Sequence, residues 1–341
     1  MELKVIGESD KELWDRVVYE SPQGTLFHSW KWLKIVEYHS KKILLGKSYQ
    51  AQLFPLMVFE KSEIVGILPV FFYDIPFFKT VLSPATGVEN LYLGPVLHNP
   101  EKFNQNKQQT RLLEFQNQID SFIKNTLKAR FILIKTSPGL TDLRPFKWSG
   151  YEVEPQYTYE LDLTIGKEKI WSEFSRRLKQ DINQVKKNGI SVEIGSRDDF
   201  EFIYDSLKKR ARINAEKEYI LEIFDTFAPS NLTIFIVKHE DRKISGLAVI
   251  CYKSKVWFWL GNPRMTDNGP SPNTLMFWEA INWAIEHGFE NLEIIGADTR
   301  DLFSFKRKFG GTPILFFKTR WLSPGFKSLE SAYRIFKSPN E

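Results

Sequence analysis

The chain has 341 residues, of which 42% are hydrophobic and 26% are charged, and its formal net charge is +5. This composition excludes a disordered chain, and a single cysteine excludes a disulfide framework or a cysteine-built metal centre. No run of about 18 apolar residues occurs and acidic residues lie near the start, so we expect a monomeric cytoplasmic protein, at most in peripheral contact with the inner face of the membrane.

The first half of the chain predicts a compact α/β unit. Two apolar runs separated by a short charged turn are typical of a β-hairpin, and apolar residues at steps of three and four predict a helix. The predicted elements are a hairpin (56–59 and 64–70), a strand ending at 91–95, a helix around 112–122 and a strand at 131–134.

The second half repeats this order. Its predicted elements are a hairpin (234–237 and 244–250), a strand ending at 259–263, a helix around 275–285 and a strand at 292–295. The repeated hairpin places Gly66 and Gly246 at equivalent positions, 180 residues apart. An internal repeat of this kind predicts two similar domains, which we place at 1–155 and 156–341. Each is expected to contain a mixed, mostly antiparallel sheet flanked by helices.

Two basic helices are predicted at the start of the second domain. Apolar residues from 170 to 185 recur at helical spacing, and Gly189 ends that helix, while a second helix is expected at about 199–217. Their cations, at 176–187 and 208–212, either form a solvated surface or bind an anionic glycan or RNA. A third amphipathic segment, 324–337, either packs on the domain or touches a membrane.

Several common chemistries are absent from the sequence. The five histidines never occur with a carboxylate at metal-ligand spacing, so we predict no metal site. A dinucleotide fingerprint, a complete phosphate-binding loop and a hydrolase nucleophile elbow are also missing. Cys251 lies in an apolar run, which favours a packed thiol over a nucleophile.

The order of elements and several short motifs together resemble the FemAB family, aminoacyltransferases that build the interpeptide bridges of peptidoglycan. The resemblance covers nearly the whole chain and implies two tandem acetyltransferase-like (GNAT-like) domains. The long coiled-coil arm that several members carry is missing. The motifs that carry the resemblance are Leu26-Phe27-His28-Ser29-Trp30 with Trp32, the segment Arg176 to Gly189, Pro272-Asn273-Thr274-Leu275, Gly288-Phe289, and Phe305 to Gly311.

The resemblance implies that an acceptor amine attacks an activated acyl carbonyl. Lys306 matches the family lysine that stabilises the resulting oxyanion, although a surface lysine would fit the same cationic run. Asp298 follows a predicted strand and is our candidate for the base, with helix capping as the alternative. A phosphate of the substrate could also accept the amine proton.

Acceptors of this family are anionic nucleotide- or lipid-linked sugar peptides, which implies arginines that bind phosphate. The candidates for substrate binding are Arg212, Arg177, Arg264, Trp257, Trp259 and Asn273. Arg212 matches a family arginine, whereas the other two arginines also fit solvated cations. The two tryptophans alternate with Phe258 on one strand, where they either stack on a sugar or base or belong to an aromatic core. Asn273 opens the helix of its motif.

The donor and the class of protein stay open at this point. The segment 262–270 contains one glycine between prolines instead of the glycine-rich loop that binds acetyl-CoA in ordinary GNAT enzymes, which favours an aminoacyl-tRNA donor over acyl-CoA. No tightly bound cofactor and no DNA are expected; tRNA is a possible partner. The alternatives are an acyl-CoA-dependent N-acetyltransferase and a non-catalytic module that binds an anionic glycan or RNA.

Overall fold

A computed structural model describes residues 1–44, 46–210, 212–261 and 269–328. Contacts between residues divide the chain into two compact units, one formed by 1–155 together with 316–341 and the other by 156–315. We describe each unit by itself. The domains 1–155 and 156–341 stay a prediction; the contact units also divide at 155/156, and residues 316–341 have their contacts in the first unit.

The first unit contains the elements of the N-terminal half and the end of the last strand. Its helices and strands are β1 (Glu2–Val5), α1 (Lys11–Glu20), α2 (Trp30–His39), β2 (Lys41–Leu44), β3 (Lys47–Gln50), β4 (Gln52–Glu60), β5 (Glu63–Tyr73), β6 (Thr80–Ser83), β7 (Val96–Leu97), α3 (Gln105–Asp120), β8 (Phe131–Lys135), α4 (Arg144–Trp148) and the first residues of β9 (Glu152–Asp162).

The second unit contains the rest of β9 and the elements of the C-terminal half. These are α5 (Lys167–Glu173), α6 (Arg176–Lys187), β10 (Ile190–Ile194), α7 (Arg197–Lys209), α8 (Lys217–Phe227), β11 (Leu232–His239), β12 (Arg242–Tyr252), β13 (Lys255–Gly261), α9 (Asn273–Glu286), β14 (Asn291–Ile294), α10 (Arg300–Lys306) and β15 (Thr312–Leu322), which continues into the first unit.

The main sheet of the first unit has the order β1-β4-β5-β6-β8-β15, and β7 also pairs with β5. Its neighbours are antiparallel except β6 and β8. The residues Lys318–Leu322 of β15 pair with β8, which is why the end of the chain belongs to this unit. Strands β2 and β3 form a separate two-stranded sheet.

The tryptophan-rich motif of the first unit shapes the entry to α2. Ser29 caps this helix, because its hydroxyl accepts the backbone N–H of Trp32 at 3.4 Å. The indole N–H of Trp14 donates to the carbonyl of His28 at 2.7 Å, which ties α1 to the same turn. Trp14, His28 and Trp32 are fully buried, so this motif has a packing role in the first unit.

The sheet of the second unit has the order β9-β14-β13-β12-β11-β10, and its neighbours are antiparallel except β13 and β14. Helices α5, α6 and α9 cover one face through a continuous apolar core. This architecture confirms the predicted α/β fold with mixed, mostly antiparallel sheets flanked by helices.

Both predicted hairpins are present as β4–β5 and β11–β12, each with a shift of register close to its turn. Both hairpins need glycine at this position for the same reason, because a side chain there would collide with neighbouring atoms. A Cβ on Gly66 would lie 2.7 Å from the carbonyl oxygen of Val96, and one on Gly246 would lie 2.6 Å from the side chain of Ile203 in α7. The sheet therefore needs glycine where these elements approach it.

The second basic helix is shorter than predicted. It ends at Lys209 instead of about 217, and α8 begins separately at Lys217. The backbone N–H of Arg212 donates to the carbonyl of Leu207 at 3.0 Å, which closes the end of α7 in a turn. Of the amphipathic segment 324–337, residues 324–328 are helical and 329–337 lie outside the described residues.

Candidate active site

The candidate site lies where two parallel strands of the second unit separate. Strands β13 and β14 pair from Lys255 with Asn291 to Phe258 with Ile294, and β14 ends there. Strand β13 continues to Gly261, and this extension pairs with β12, with a bulge beside Trp259. Bulges are common next to active sites because they redirect side chains. Beyond Phe258, β13 extends past the end of β14, so the two strands separate at this point.

Lys306 reaches the end of β14 from α10. Its side chain is buried, with 6% of the residue exposed, and its Nζ donates to the carbonyl oxygens of Ile295 and Gly296. Gly296 has a φ of +75°, a conformation that glycine adopts without strain, and it turns the chain away from the strand. The ammonium group is thus fixed where β13 and β14 separate.

Local packing explains why α10 directs its last residue inward. Thr299 caps the helix by accepting the backbone N–H of Leu302 at 3.3 Å. At the other end, the ring of Phe309 is 1% exposed and contacts Phe305 and Phe277 at centroid distances of 5.5 Å each. The cap fixes the start of the helix and the ring contacts hold its end against the apolar core, so Lys306 is held rather than solvated.

A buried charge network lies behind Lys306. Glu293, which is fully buried, forms an ion pair of 2.7 Å with Lys255, and Lys255 also pairs with Glu160 at 2.6 Å. The register of β9, β14 and β13 brings these three charges together, because Glu293 lies opposite Glu160 on one side and Trp257 on the other. Burial alone would lower the pKa of Lys255, but Glu293 and Glu160 outweigh it and raise that pKa.

Burial lowers the pKa of Lys306 to about 8, although Glu293 and Asp298 partly oppose this shift. At neutral pH the side chain is therefore mostly a cation, and it loses its charge in a mildly alkaline range. An ammonium that is removed from water and held by carbonyl groups can stabilise a nearby negative charge more strongly than an exposed lysine.

The same pKa predicts how stability depends on pH. The folded-state pKa of Lys306, about 8, is below its ordinary value of 10.5, so between these values the unfolded chain binds more protons than the folded one. The free energy of unfolding of the wild type, relative to Lys306→Met, should therefore rise as the pH increases from about 8 to about 10.5. Urea unfolding of both proteins across this range tests the sign, and a falling difference would contradict the shift.

Asp298 lies in the same loop as the carbonyl partners of Lys306. It is exposed, and its Oδ1 accepts the backbone N–H of Tyr157 at 2.9 Å, while the backbone N–H of Ala297 donates to the carbonyl of Tyr157 at the same distance. These two bonds fix the loop against β9. The helix cap is Thr299 rather than Asp298, and the role of Asp298 as a base stays a prediction.

The two tryptophan candidates are buried in β13. Trp257 is 3% exposed and Trp259 is 7% exposed. The ring of Trp259 lies 6.1 Å from that of Phe200 in α7, and the ammonium of Lys255 lies 5.3 Å from the ring of Trp257. Both rings therefore contact the protein itself, and stacking on a ligand stays a prediction.

Asn273 and the arginines have different surroundings. Asn273 is buried at the first turn of α9, where its side-chain oxygen accepts the hydroxyl of Ser245 at 2.5 Å. Arg177 is mostly exposed and pairs with Asp181 of its own helix at 2.9 Å. Arg212 is exposed in the loop after α7, and Arg264 lies outside the described residues. The described contacts thus bring Lys306 and Asp298 together but do not connect Arg177 or Arg212 with them.

The structure also shows functional candidates that the sequence did not suggest. Lys255, Glu160 and Glu293 were missed because their importance depends on the register of three strands. A signal was present in the sequence, since Glu293 is a charged residue within the apolar run of β14.

Other chemistries find little support in the described residues. Burial raises the pKa of Cys251 to about 12, which opposes thiolate formation. In the described ranges, no group of three His, Cys, Asp or Glu residues is placed to hold a metal ion. No helix within those ranges is long and apolar enough to cross a membrane.

Comparison with known proteins agrees with this fold. Residues 172–307 match the family model of the acetyltransferase (GNAT) domain. The structure is similar to that of FemX, at 15% identity, with 98% of this chain and 99% of FemX covered and a TM-score of 0.64. No curated protein matches the chain.

Two further solved structures have the same fold. One is the C-terminal domain of a putative lysylphosphatidylglycerol synthetase from Agrobacterium fabrum, at 13% identity, 95% and 94% coverage and a TM-score of 0.55. The other is a tandem GNAT protein from the clavulanic acid biosynthesis pathway, at 10% identity, 94% and 98% coverage and a TM-score of 0.53. Residues 172–307 therefore match a GNAT domain, and the chain as a whole has the fold of FemX.

Proposed function

We propose that the protein is an acyltransferase that forms an amide on an amino sugar or peptide of a cell-envelope precursor, peptidoglycan or polysaccharide. The observation that carries this proposal is the buried Lys306, held by two carbonyl groups at the point where β13 and β14 separate inside the GNAT domain. The proposal rests on this geometry together with the family resemblance.

The chemistry follows from the donors of Lys306. The acceptor nitrogen bonds to the acyl carbon, and the carbonyl electron pair moves onto oxygen. An ammonium has three N–H donors, and the carbonyls of Ile295 and Gly296 take two of them. The third is then available to the oxyanion, which gains negative charge as the tetrahedral intermediate forms.

Collapse of the intermediate completes the transfer. The bond from the acyl carbon to the ester oxygen, or to the thioester sulfur, breaks, and the leaving group takes the proton that the amine loses. Asp298 is our candidate to carry this proton. The backbone N–H of Tyr157 donates to its carboxylate and fixes it in the loop that also contains Ile295 and Gly296. A phosphate of the acceptor is the alternative carrier.

The favoured donor is an aminoacyl ester of the tRNA type. The sequence 262–270 has a single glycine between prolines, so it lacks the successive backbone donors with which a glycine-rich loop holds a pyrophosphate. The second candidate is an acyl-CoA donor. The match of residues 172–307 to the acetyltransferase (GNAT) domain favours it.

The acceptor is proposed to be anionic and nucleotide- or lipid-linked. Arg212 and Arg177 expose guanidinium groups that can bind phosphate in a forked geometry, and Arg264 is retained from the sequence. Arg177 already pairs with Asp181, so a phosphate must compete with that carboxylate for it. This makes Arg212 the stronger candidate of the two described arginines.

Thermal unfolding with each donor separates the candidates. A ligand at 100 times its Kd adds about 2.7 kcal/mol to the free energy of unfolding. We expect a non-hydrolysable aminoacyl-tRNA mimic to raise the melting temperature and acetyl-CoA to leave it unchanged. Lys306→Met should bind the mimic equally well, since it removes a group that acts after binding.

The opposite results select the alternatives. If only acetyl-CoA raises the melting temperature, the donor is acyl-CoA and not an aminoacyl ester. Two results together would favour a non-catalytic binding module. Uncharged RNA would raise the melting temperature as much as the mimic does, and neutralising the cations of 208–212 would abolish the salt dependence of that effect.

A further inference from the structure

The small sheet of the first unit presents apolar side chains to solvent. Strands β2 and β3 pair only with each other among the described strands and project as a hairpin. Ile43 is 72% exposed and Leu44 is 45% exposed near the turn of this hairpin, and Lys41 and Lys47 beside them are also exposed. A hairpin with apolar residues near its turn and flanking lysines is unusual for a surface that contacts only water.

A second exposed apolar residue lies on the loop that follows β5. Phe77 is 92% exposed, and its φ of +63° is uncommon for a bulky residue. The next residue, Phe78, holds this conformation, because its ring contacts Phe131 at 5.9 Å and Phe326 at 4.9 Å between centroids. The loop thus packs the partly buried Phe78 against other rings and exposes Phe77 to solvent.

The hairpin and the loop both lie beside the ring of Phe131. The ammonium of Lys42, in β2, lies 6.0 Å from the ring of Phe131 and 5.6 Å from that of Tyr73. Phe131 is the ring on which Phe78 stacks, so Lys42 and the loop share a neighbour. We name the set Ile43, Leu44 and Phe77 the apolar tip.

The charges around the apolar tip are mainly positive. Lys41, Lys42 and Lys47 lie in the hairpin itself, and its described residues contain no carboxylate. Asp74, on the adjacent loop, is neutralised by Lys79 at 3.2 Å. Apolar side chains surrounded by lysines complement the interface of an anionic bilayer, where acyl chains lie beneath phosphate groups.

We propose that the apolar tip is a docking surface for an anionic membrane, into whose headgroup region Ile43, Leu44 and Phe77 insert while the exposed Lys41 and Lys47 contact lipid phosphates. The proposal goes beyond the proposed function and does not rest on it. A protein partner fits less well, because stable protein interfaces bury about 800 Å² on each side and are depleted in lysine at their centre.

Co-sedimentation with vesicles tests this proposal. The full chain is mixed with vesicles of phosphatidylcholine alone or of equal parts phosphatidylglycerol and phosphatidylcholine. We expect binding to the anionic vesicles only, and a marked decrease when the salt concentration rises from about 0.05 M to about 0.5 M. The double variant Ile43→Thr/Phe77→Asn should lose about tenfold in its partition coefficient.

The substitutions are chosen to preserve the fold. Threonine keeps the β-branched side chain that suits a strand, and asparagine tolerates positive φ better than phenylalanine. The matched control is Ile194→Thr, since Ile194 is 60% exposed in an edge strand of the second unit; this variant should bind vesicles like the wild type.

Three outcomes would overturn the proposal. These are equal binding to both kinds of vesicle, a double variant that binds like the wild type, and a control that loses as much binding as the double variant. Self-association of the free chain that Phe77→Asn abolishes, without vesicle binding, would show that the tip is instead an interface between copies of the chain. If the full chain does not bind vesicles but still binds its donor, the docking proposal fails while the proposed function stands.

Discussion

Replacement of Lys306 by methionine is expected to lower kcat for acyl transfer by about 10²–10³-fold, the usual loss when one donor to an oxyanion is removed. Methionine is nearly as long and as apolar as the lysine stem, so it fills the same buried space. The carbonyl groups of Ile295 and Gly296 lose their donor, but both residues are half-buried and water can replace it. Steady-state kinetics with the donor selected by thermal unfolding measures the effect.

The neighbouring residue supplies the control for this experiment. Arg307 is exposed, and its guanidinium lies 5.4 Å from the ring of Phe303 rather than at the end of β14. Arg307→Gln removes a positive charge from the same turn, so its kcat should stay close to that of the wild type. Equal losses in both variants would mean that the local charge matters and not the placement of Lys306.

The second large effect is expected from Glu293→Gln. This substitution keeps the shape of the side chain but removes a fully buried charge that pairs with Lys255. Removal of one partner from a buried ion pair usually costs 3–5 kcal/mol, and Glu160 still pairs with Lys255, so we expect a loss of about 3 kcal/mol in the free energy of unfolding. Urea unfolding followed by tryptophan fluorescence measures it.

An exposed pair of the same type provides the comparison. Glu154 and Lys318 form an ion pair of 2.8 Å in the first unit, where the carboxylate side chain is 58% exposed. Glu154→Gln should therefore cost less than about 1 kcal/mol. A similar small loss for Glu293→Gln would contradict the structural role of the buried network.

Glu293→Gln also has a predicted signature in the pH profile. Glu293 opposes the effect of burial on Lys306, so its loss should lower the pKa of Lys306 below about 8. If transfer requires the charged ammonium, the decline of kcat at alkaline pH should move to lower pH in this variant. A purely structural role for Glu293 would change stability without moving the profile.

The repeated units could be predicted from the sequence because their signals are local. An apolar run, a charged turn and a second apolar run define each hairpin, and Gly66 and Gly246 mark equivalent places in the two copies. The helix around 275–285 also follows from spacing alone, and the structure extends it to Asn273–Glu286. Such patterns depend on neighbours a few residues apart.

The features that were missed depend on distant parts of the chain. The pairing of β15 with β8 joins residues more than 180 positions apart, and no local pattern indicates that 316–341 contacts the first unit. The ion pairs of Lys255 with Glu160 and Glu293 need the register of three strands. The early end of α7 is set by a backbone hydrogen bond of Arg212, whose basic neighbours are otherwise good helix formers.

The candidate site was also only partly predictable from the sequence. The position of Lys306 came from the family resemblance, whereas its burial, its two carbonyl partners and its lowered pKa are visible only in the folded chain. The roles of Lys306, Asp298 and the substrate-binding candidates stay predictions until the transfer reaction is measured.

The central claim is that the ammonium of Lys306 faces the oxygen that becomes negative during acyl transfer. A crystal structure with a phosphonate analogue of the tetrahedral intermediate tests this most directly. We predict that Nζ of Lys306 lies within about 3 Å of a phosphonate oxygen while it keeps its bonds to Ile295 and Gly296. An analogue bound elsewhere in the GNAT domain, with its oxygens facing other donors, would contradict the account.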